Sequence, residues 1–234
     1  MKMEAPWLVA NTVTVPGYLD ETYWWAYVHP RAVHLFERQW LVNLILWGNF
    51  NRLRDAALDA LGTDLSGRTL QVACVYGDLT SRLAARHGAD GALDVVDVLP
   101  IQLENLARKL GSNKSVALVH GDSAALHFES ASYDRVLLFF LLHEQPKASR
   151  RATIAEALRV VKPGGRVVIV DYHRPHVLNP LYWPMVGILR TLEPFALDLW
   201  QSEIADWFPR GAKVVELHKK TSFGGLYQLI TITV

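Results

Sequence analysis

Short apolar runs in this chain end, one after another, in side chains that can do chemistry. Asp78 follows the run that closes at Tyr76, and Asp97 closes Ala92–Val98. Asp122 follows Val116–His120, His143 and Glu144 follow Tyr133–Leu142, and Asp171 and His173 end Arg166–Asp171 and its exit. A divalent ion takes imidazole and carboxylate ligands well, and a bound ion polarises a carbonyl. His143, Asp171 and His173 are the favoured set, with His176 weaker and Asp78 and Glu144 as alternatives. A histidine after a strand serves equally as a hydrogen-bonding partner, and Asp171 as a turn cap. Tyr76, Tyr172, His143 and Glu144 are the side chains that could accept a proton, with metal-bound water as an alternative and no ranking among them.

Those residues need a scaffold that brings run ends together. Thr69–Val75 is a strand signal, followed by a helix over Leu79–Arg86 that stops at Gly88. Ala92–Val98 is a second strand; Pro100 opens a helix that Gly111 closes. Val116–His120 is a third strand and Tyr133–Leu142 a fourth, apolar throughout as for burial on both faces. Ala152–Val161 is helical, Lys162-Pro163-Gly164-Gly165 a turn and Arg166–Asp171 a fifth strand. Val214–Thr221 and Leu226–Val234 flank Phe223-Gly224-Gly225 as an antiparallel hairpin. Alternating strands and helices predict a doubly covered, mostly parallel sheet. In such a sheet ligands bind beyond the carboxyl ends of the strands, where the reactive side chains lie.

The first strand-to-helix turn breaks the usual rule for a nucleotide-cofactor loop. Glycines normally let the backbone approach the cofactor. In Leu70-Gln71-Val72-Ala73-Cys74-Val75-Tyr76-Gly77-Asp78 only Gly77 remains, and Gln71 stands near the place of an acid. Gln71, Ala73, Tyr76, Gly77 and Asp78 are nonetheless expected to border the cofactor.

Composition narrows the function classes. A net charge of +1 argues against a nucleic-acid binder that relies on a basic face. The single Cys74 excludes an internal disulfide and, inside an apolar strand, reads as a buried structural thiol. The start shows no signal-peptide pattern, and no run reaches the ~20 apolar residues of a spanning helix. Trp7, Trp24, Trp25, Trp40 and Trp47 precede the α/β core; Trp183, Trp200 and Trp207 follow it, among prolines. The expected organisation is an aromatic extension over residues 1–55 and an α/β domain over 56–234, with an aromatic insertion at about 175–209.

From about residue 50 onward this order resembles the class I S-adenosylmethionine-dependent methyltransferases. Val95-Val96-Asp97-Val98-Leu99-Pro100 is similar to their second-strand motif, Gly121-Asp122-Ser123 to the third-strand motif, and Leu158–Arg166 to the helix-turn-strand signature before strand five. The resemblance implies a Rossmann-like α/β sheet of seven strands with a C-terminal antiparallel hairpin. It also implies S-adenosylmethionine held by Asp97 and Val98 at the ribose and by Asp122 and Ser123 at the adenine.

Nearly the whole chain resembles the rhodoquinone biosynthesis proteins. The residues that carry this are Trp24-Trp25-Ala26-Tyr27-Val28-His29-Pro30-Arg31, Trp40–Gly48, Val72–Leu79 and Leu141-Leu142-His143-Glu144-Gln145-Pro146. That resemblance implies conversion of ubiquinone to rhodoquinone, an amino group replacing a ring methoxy group. S-adenosylmethionine is then the amino donor and manganese the assisting metal. Tyr76, His143 and Glu144 are the expected catalytic groups. Trp24, Trp25, Tyr27, Tyr182 and Trp183 are the expected substrate contacts, and Leu178, Met185, Ile188, Leu189 and Phe195 could guide an isoprenoid tail. Arg31, Arg38, Arg52 and Arg54 would rest on an anionic bilayer, placing the protein in the cytoplasm at the inner face of the membrane. A conventional quinone or lipid methyltransferase is the second reading, and a silent subunit of a quinone-biosynthetic assembly the third.

Overall fold

The computed structural model describes residues 8–9, 13–23, 36–111 and 115–234. Its centre is one sheet whose strand order, by position in the chain, is 1-4-3-2-5-6-8-7. The strands are β1 (Leu8–Val9), β2 (Leu65–Val72), β3 (His87–Asp97), β4 (Val116–His120), β5 (Tyr133–Phe139), β6 (Val161–Tyr172), β7 (Glu216–Ser222) and β8 (Tyr227–Thr233). β1 to β6 pair in parallel, and β8 runs antiparallel to both β6 and β7. The seven expected strands are present, and the two residues of β1 extend the sheet beside β4.

Burial follows the two-residue period of the strands. In β5, Leu137 and Phe139 enter one core layer while Val136 and Leu138 enter the other. Helix α1 (Gly17–Thr22) packs Leu19 into a small separate cluster, and the first layer is completed by α3 (Phe50–Leu61) and α5 (Pro100–Leu110), through Leu53, Leu58, Leu103 and Leu106. The second is completed by α6 (Lys147–Val160), through Ile154, Ala157 and Leu158. The uninterrupted apolar run of β5 is thus a strand covered on both faces, as expected.

Three boundaries differ from the sequence reading, each for a local reason. Residues 162–165 do not end the preceding element. Val161 pairs with Tyr133 and Arg166 with Arg135, so the Lys-Pro-Gly-Gly stretch loops out of a continuing ladder. β5 stops at Phe139, and Leu142–Glu144 form a single 3-10 turn. The expected domain boundary near residue 55 falls inside α3, which packs into the same core as the sheet.

The chain reverses its direction of growth across the sheet between β2 and β5. From β2 it builds outward through β3 and β4; from β5 it builds the other way through β6 and β8. Loops leaving β2 and β5 therefore diverge and open a crevice between them. Two helices cover that crevice: α2 (Gln39–Ile45) from the N-terminal side and α7 (Tyr182–Leu192) from the late insertion. The Trp47 indole N–H donates to the Met185 sulfur at 3.3 Å and ties the two together.

Candidate functional site

A cavity of about 730 Å³ fills the crevice, within the usual range for small-molecule sites. Its floor is the strand ends: Ala73, Cys74, Val75 and Tyr76 after β2, Asp97 and Val98 after β3, Asp122 and Ser123 after β4, and Phe140 and His143 after β5. Its walls are apolar, from Leu41, Ile45 and Trp47 on one side and Met185, Leu189 and Leu192 on the other.

At the β2 and β3 exits, Asp97 is the organising group. One oxygen accepts the Cys74 N–H at 2.7 Å and the other the Leu99 N–H at 2.8 Å. These bonds fold the β2 and β3 exits toward each other. Burial pushes the Asp97 carboxyl above its ordinary value, while the backbone donors and the Cys74 thiol act against that rise. A carboxylate offers four acceptor positions, so capacity remains for a ribose hydroxyl. The Asp122 carboxylate accepts the Ala124 N–H at 2.8 Å and borders the cavity. Ser123 exchanges a 2.9 Å hydrogen bond with Thr153 and accepts one from Gln145. S-adenosylmethionine fits these residues: an acid at the β3 exit, a second at the β4 exit and apolar Val98 and Leu99 between them.

The β2 loop is held from behind. Lys109 donates to the carbonyls of Val75 and Gly77, at 3.2 and 2.7 Å, and pairs with Glu37 at 2.8 Å. Glu37 in turn accepts the Gly77 N–H. Ala73 adopts φ +71°, a left-handed conformation that suits glycine better. Gly77 has φ +84°, and a Cβ there would stand 2.9 Å from Phe50 Cζ.

Several expected cofactor contacts lie elsewhere. Gln71 is fully buried below the floor, its amide donating to the Ala73 carbonyl at 3.0 Å. Gly77 turns toward Glu37 and Lys109. Asp78 is engaged by Arg54 at 2.7 Å and Arg82 at 2.6 Å. Those hydrogen bonds hold its carboxyl below the ordinary value although burial acts in the opposite direction. Arg54 is thereby buried, not free to meet a bilayer. Cys74 lies just past the end of β2 and not inside the strand; it packs against the core and also lines the cavity. Desolvation raises its thiol well above the ordinary value, which keeps it protonated.

On the opposite side stands a buried His143–Asp171 pair. The Nδ1 of His143 is 2.8 Å from Asp171 Oδ1. The same carboxylate also accepts the backbone N–H groups of Leu142, at 2.9 Å, and Tyr172, at 2.7 Å. Burial alone would keep the imidazole neutral; the Asp171 carboxylate outweighs it and raises the pKa to about 9. The ring is boxed edge-on by Phe140 and Tyr172, with centroids 5.9 and 4.8 Å away. Nε2 faces Glu144, 3.8 Å from its Oε1. An imidazolium held in this way can donate a hydrogen bond to an oxygen atom, or stabilise negative charge that develops on one.

The expected metal set does not assemble. The Asp171 oxygens are taken up by His143 and by backbone donors. His173 points away, bonded to the Gly225 carbonyl at 2.7 Å and to Lys219 at 3.0 Å. Among the described residues, no group of three or more His, Cys, Asp or Glu side chains is placed to hold a metal ion. His143 and Asp171 instead form the hydrogen-bonding pair that a histidine after a strand was equally open to.

Tyr76 lines the cavity, stacked on Phe36 at 6.0 Å, with its hydroxyl accepting from Gln102 at 2.8 Å. Desolvation pushes that phenol well up, so it is a poor base. Tyr182 and Trp183 do not line the cavity: Tyr182 packs on Trp200, and Trp183 is exposed. Met185, Ile188 and Leu189 of the same helix do. Trp24, Trp25, Tyr27 and Arg31 lie outside the described residues.

Two residues that the sequence did not single out shape this pole. Arg150 is fully buried and donates to the carbonyls of Leu142, Gln145 and Phe195, fixing the turn that carries His143. Glu193 caps the C-terminus of α7 and borders the cavity. Burial raises its carboxyl above the ordinary value against the opposing pull of His143. A carboxylate at the negative end of a helix is further disfavoured as an ion.

Comparison with known proteins places this geometry. Residues 69–165 match the family described as "Methyltransferase domain". The chain is 33% identical over 135 residues to the demethylmenaquinone methyltransferase of Staphylococcus aureus (strain MRSA252), covering 58% of this chain and 55% of that protein. It spans about half the length of the curated relatives it matches. An O-methyltransferase family protein from Burkholderia thailandensis superposes with TM-score 0.63 at 16% identity, over 87% of this chain and 59% of that one. Phosphoethanolamine N-methyltransferase 2 of Haemonchus contortus, solved with S-adenosyl-L-methionine, gives TM-score 0.62 at 15% identity, over 95% and 60%. The fold is that of the class I methyltransferases. The cavity described above lies at the strand exits of that fold, and the late insertion supplies α7 as its wall.

Proposed function

We propose that this chain is an S-adenosylmethionine-dependent transferase that modifies the ring of a lipid quinone. The observation that carries this is a single apolar cavity, bordered by Asp97 and Asp122 at the β3 and β4 exits and by the Asp171-held His143 after β5. S-adenosylmethionine would be held by Asp97 and Asp122, in the cavity that His143 also lines. An oxygenated ring beside His143 then presents its carbon to the donor, and the apolar walls receive the tail. A relative described as a demethylmenaquinone methyltransferase supports a quinone as the acceptor.

The finer reading is amino transfer. The donor's neutral α-amine adds to a ring carbon of ubiquinone that bears a methoxy group, and that group leaves as methanol with a proton from the nitrogen. Loss of a proton from the donor's β-carbon with cleavage of its Cα–N bond then frees the aminoquinone, rhodoquinone, and an unsaturated donor remnant. Electrophilic help comes from His143, whose imidazolium donates to the quinone carbonyl and makes the adjacent carbon more open to attack. Water is kept out by the apolar walls. Manganese, implied by the family resemblance, finds no converging donor set among the described residues, so each step is assigned to side chains alone. Conventional methylation is the second reading, favoured by the name of that same relative.

Expression in a host that makes ubiquinone but no rhodoquinone, followed by lipid mass spectrometry, separates the two. Amino-for-methoxy exchange lowers the quinone mass by the difference between those substituents. Methylation adds one CH₂ unit. An unchanged lipid profile with soluble, folded protein contradicts both.

A further inference from the structure

The helices that wall the cavity are apolar on their outer side as well. Trp40 is 60% and Leu44 65% exposed on α2, and Trp183 is 72% exposed on α7. Leu178, in the segment entering α7, is 83% exposed. Ile45 and Ile188 are partly exposed while also lining the cavity, so the outer patch runs continuously into the cavity wall. The core does not require these side chains, and a contiguous apolar surface of this kind marks an interaction site.

Charge selects the occupant. Within residues 38–50 and 177–192 the only charged side chains are Arg38 and Arg190, and both are exposed. The flanking acids are engaged inward, Glu37 by Lys109 and Glu193 at the cavity, so an apolar patch with basic groups at its margin matches an anionic bilayer surface. Tryptophan suits the headgroup boundary, with one apolar face and one N–H donor. A symmetric second copy would bring the same arginines toward one another and is disfavoured. No helix among the described residues is long and apolar enough to cross a membrane, so contact would be along the surface.

We propose that the outer faces of α2 and α7, with the segment before α7, form a bilayer-docking surface that opens the cavity directly to lipid. It rests on the lipid-quinone reading, because docking there lets a tailed ring enter without crossing water. Trp40 and Leu178 insert, and Arg38 and Arg190 meet anionic headgroups.

The test is flotation of the full chain with vesicles of phosphatidylcholine, alone or mixed equally with phosphatidylglycerol. The wild type should float with the mixed vesicles and much less with phosphatidylcholine alone. Trp40→Ser with Leu178→Ser should lower partitioning about tenfold or more, with an unchanged unfolding temperature and S-adenosylmethionine affinity. Each of Arg38→Gln and Arg190→Gln should cost about fivefold on the anionic vesicles, from ~1 kcal/mol per basic residue at such a surface. Wild-type protein that stays with the soluble fraction, or a double variant that floats as well as wild type, overturns the proposal. So does a stable dimer in sedimentation equilibrium that the double variant dissociates. Flotation needs no quinone, and turnover of a short-tailed quinone needs no vesicle, so this proposal and the functional reading fail separately.

Discussion

His143 is the residue whose titration reports on its surroundings most directly. Its folded pKa of about 9 lies above the ordinary 6.5 because Asp171 outweighs burial. A raised histidine pKa means that the folded state binds the proton more tightly than the unfolded chain. The resulting stability is fully present below pH 6.5 and is lost as pH rises through about 9. Its size is on the order of 3 kcal/mol at most. Thermal unfolding from pH 6 to pH 10 should therefore show a decline that Asp171→Asn removes. A parallel decline in both proteins would mean that the pair does not control His143. At the cofactor side, Asp97→Asn should weaken S-adenosylmethionine binding roughly tenfold to a hundredfold, the scale of a hydrogen bond to a charged group. Calorimetry that finds equal affinity would remove Asp97 from the ribose. At this scale, the apolar run before it made His143 legible as an end-of-strand group. Its partner Asp171, 28 residues further along, was legible as well, as the end of the neighbouring strand; what the sequence did not convey is that the two form a hydrogen-bonded pair and not part of a metal set. Arg150 and Glu193 left no periodic signal, since their roles depend on one turn and one helix end meeting in space.

The β2 loop is the element in which sequence and geometry part most clearly. Missing glycines suggested a crowded cofactor loop, and Ala73, Val75 and Tyr76 do line the cavity. The loop nevertheless keeps the backbone shape that glycines serve, with Ala73 held in a left-handed conformation. Gln71 and Asp78 were expected at the cofactor by their proximity in sequence. Strand alternation buries the first, and α4 (Leu79–Ala84), which Asp78 precedes, turns the second toward Arg54 and Arg82. Gly77 carries two constraints, its positive φ and the Phe50 ring behind it. Gly77→Ala should lower stability by ~1–3 kcal/mol, seen as a loss of about 2–4 °C in melting temperature per kcal/mol. An unchanged melting temperature would show that Phe50 yields freely. The Lys-Pro-Gly-Gly stretch teaches a related lesson. Its residues do read as a turn, but pairing on both sides keeps it within one strand.

At the scale of the whole molecule, alternating strands and helices were enough to reach the sheet, its hairpin and the strand ends at which the cavity opens. The order of strands places the reversal between β2 and β5, and the cavity opens there. What the sequence could not convey was which aromatic side chains face inward. Trp183 and Tyr182 share a helix with Met185 and Leu189, and only the packing of that helix decides that the smaller pair enters the cavity. The fold alone supports many reactions, so the central claim concerns atoms that move. The purified chain should be incubated with ubiquinone and S-adenosylmethionine that carries heavy nitrogen in the α-amine and heavy carbon in the sulfonium methyl. Quinone that has lost a methoxy group and gained the heavy nitrogen is the expected product. Quinone that has gained the heavy methyl group, or that carries neither label after full cofactor binding, would contradict amino transfer.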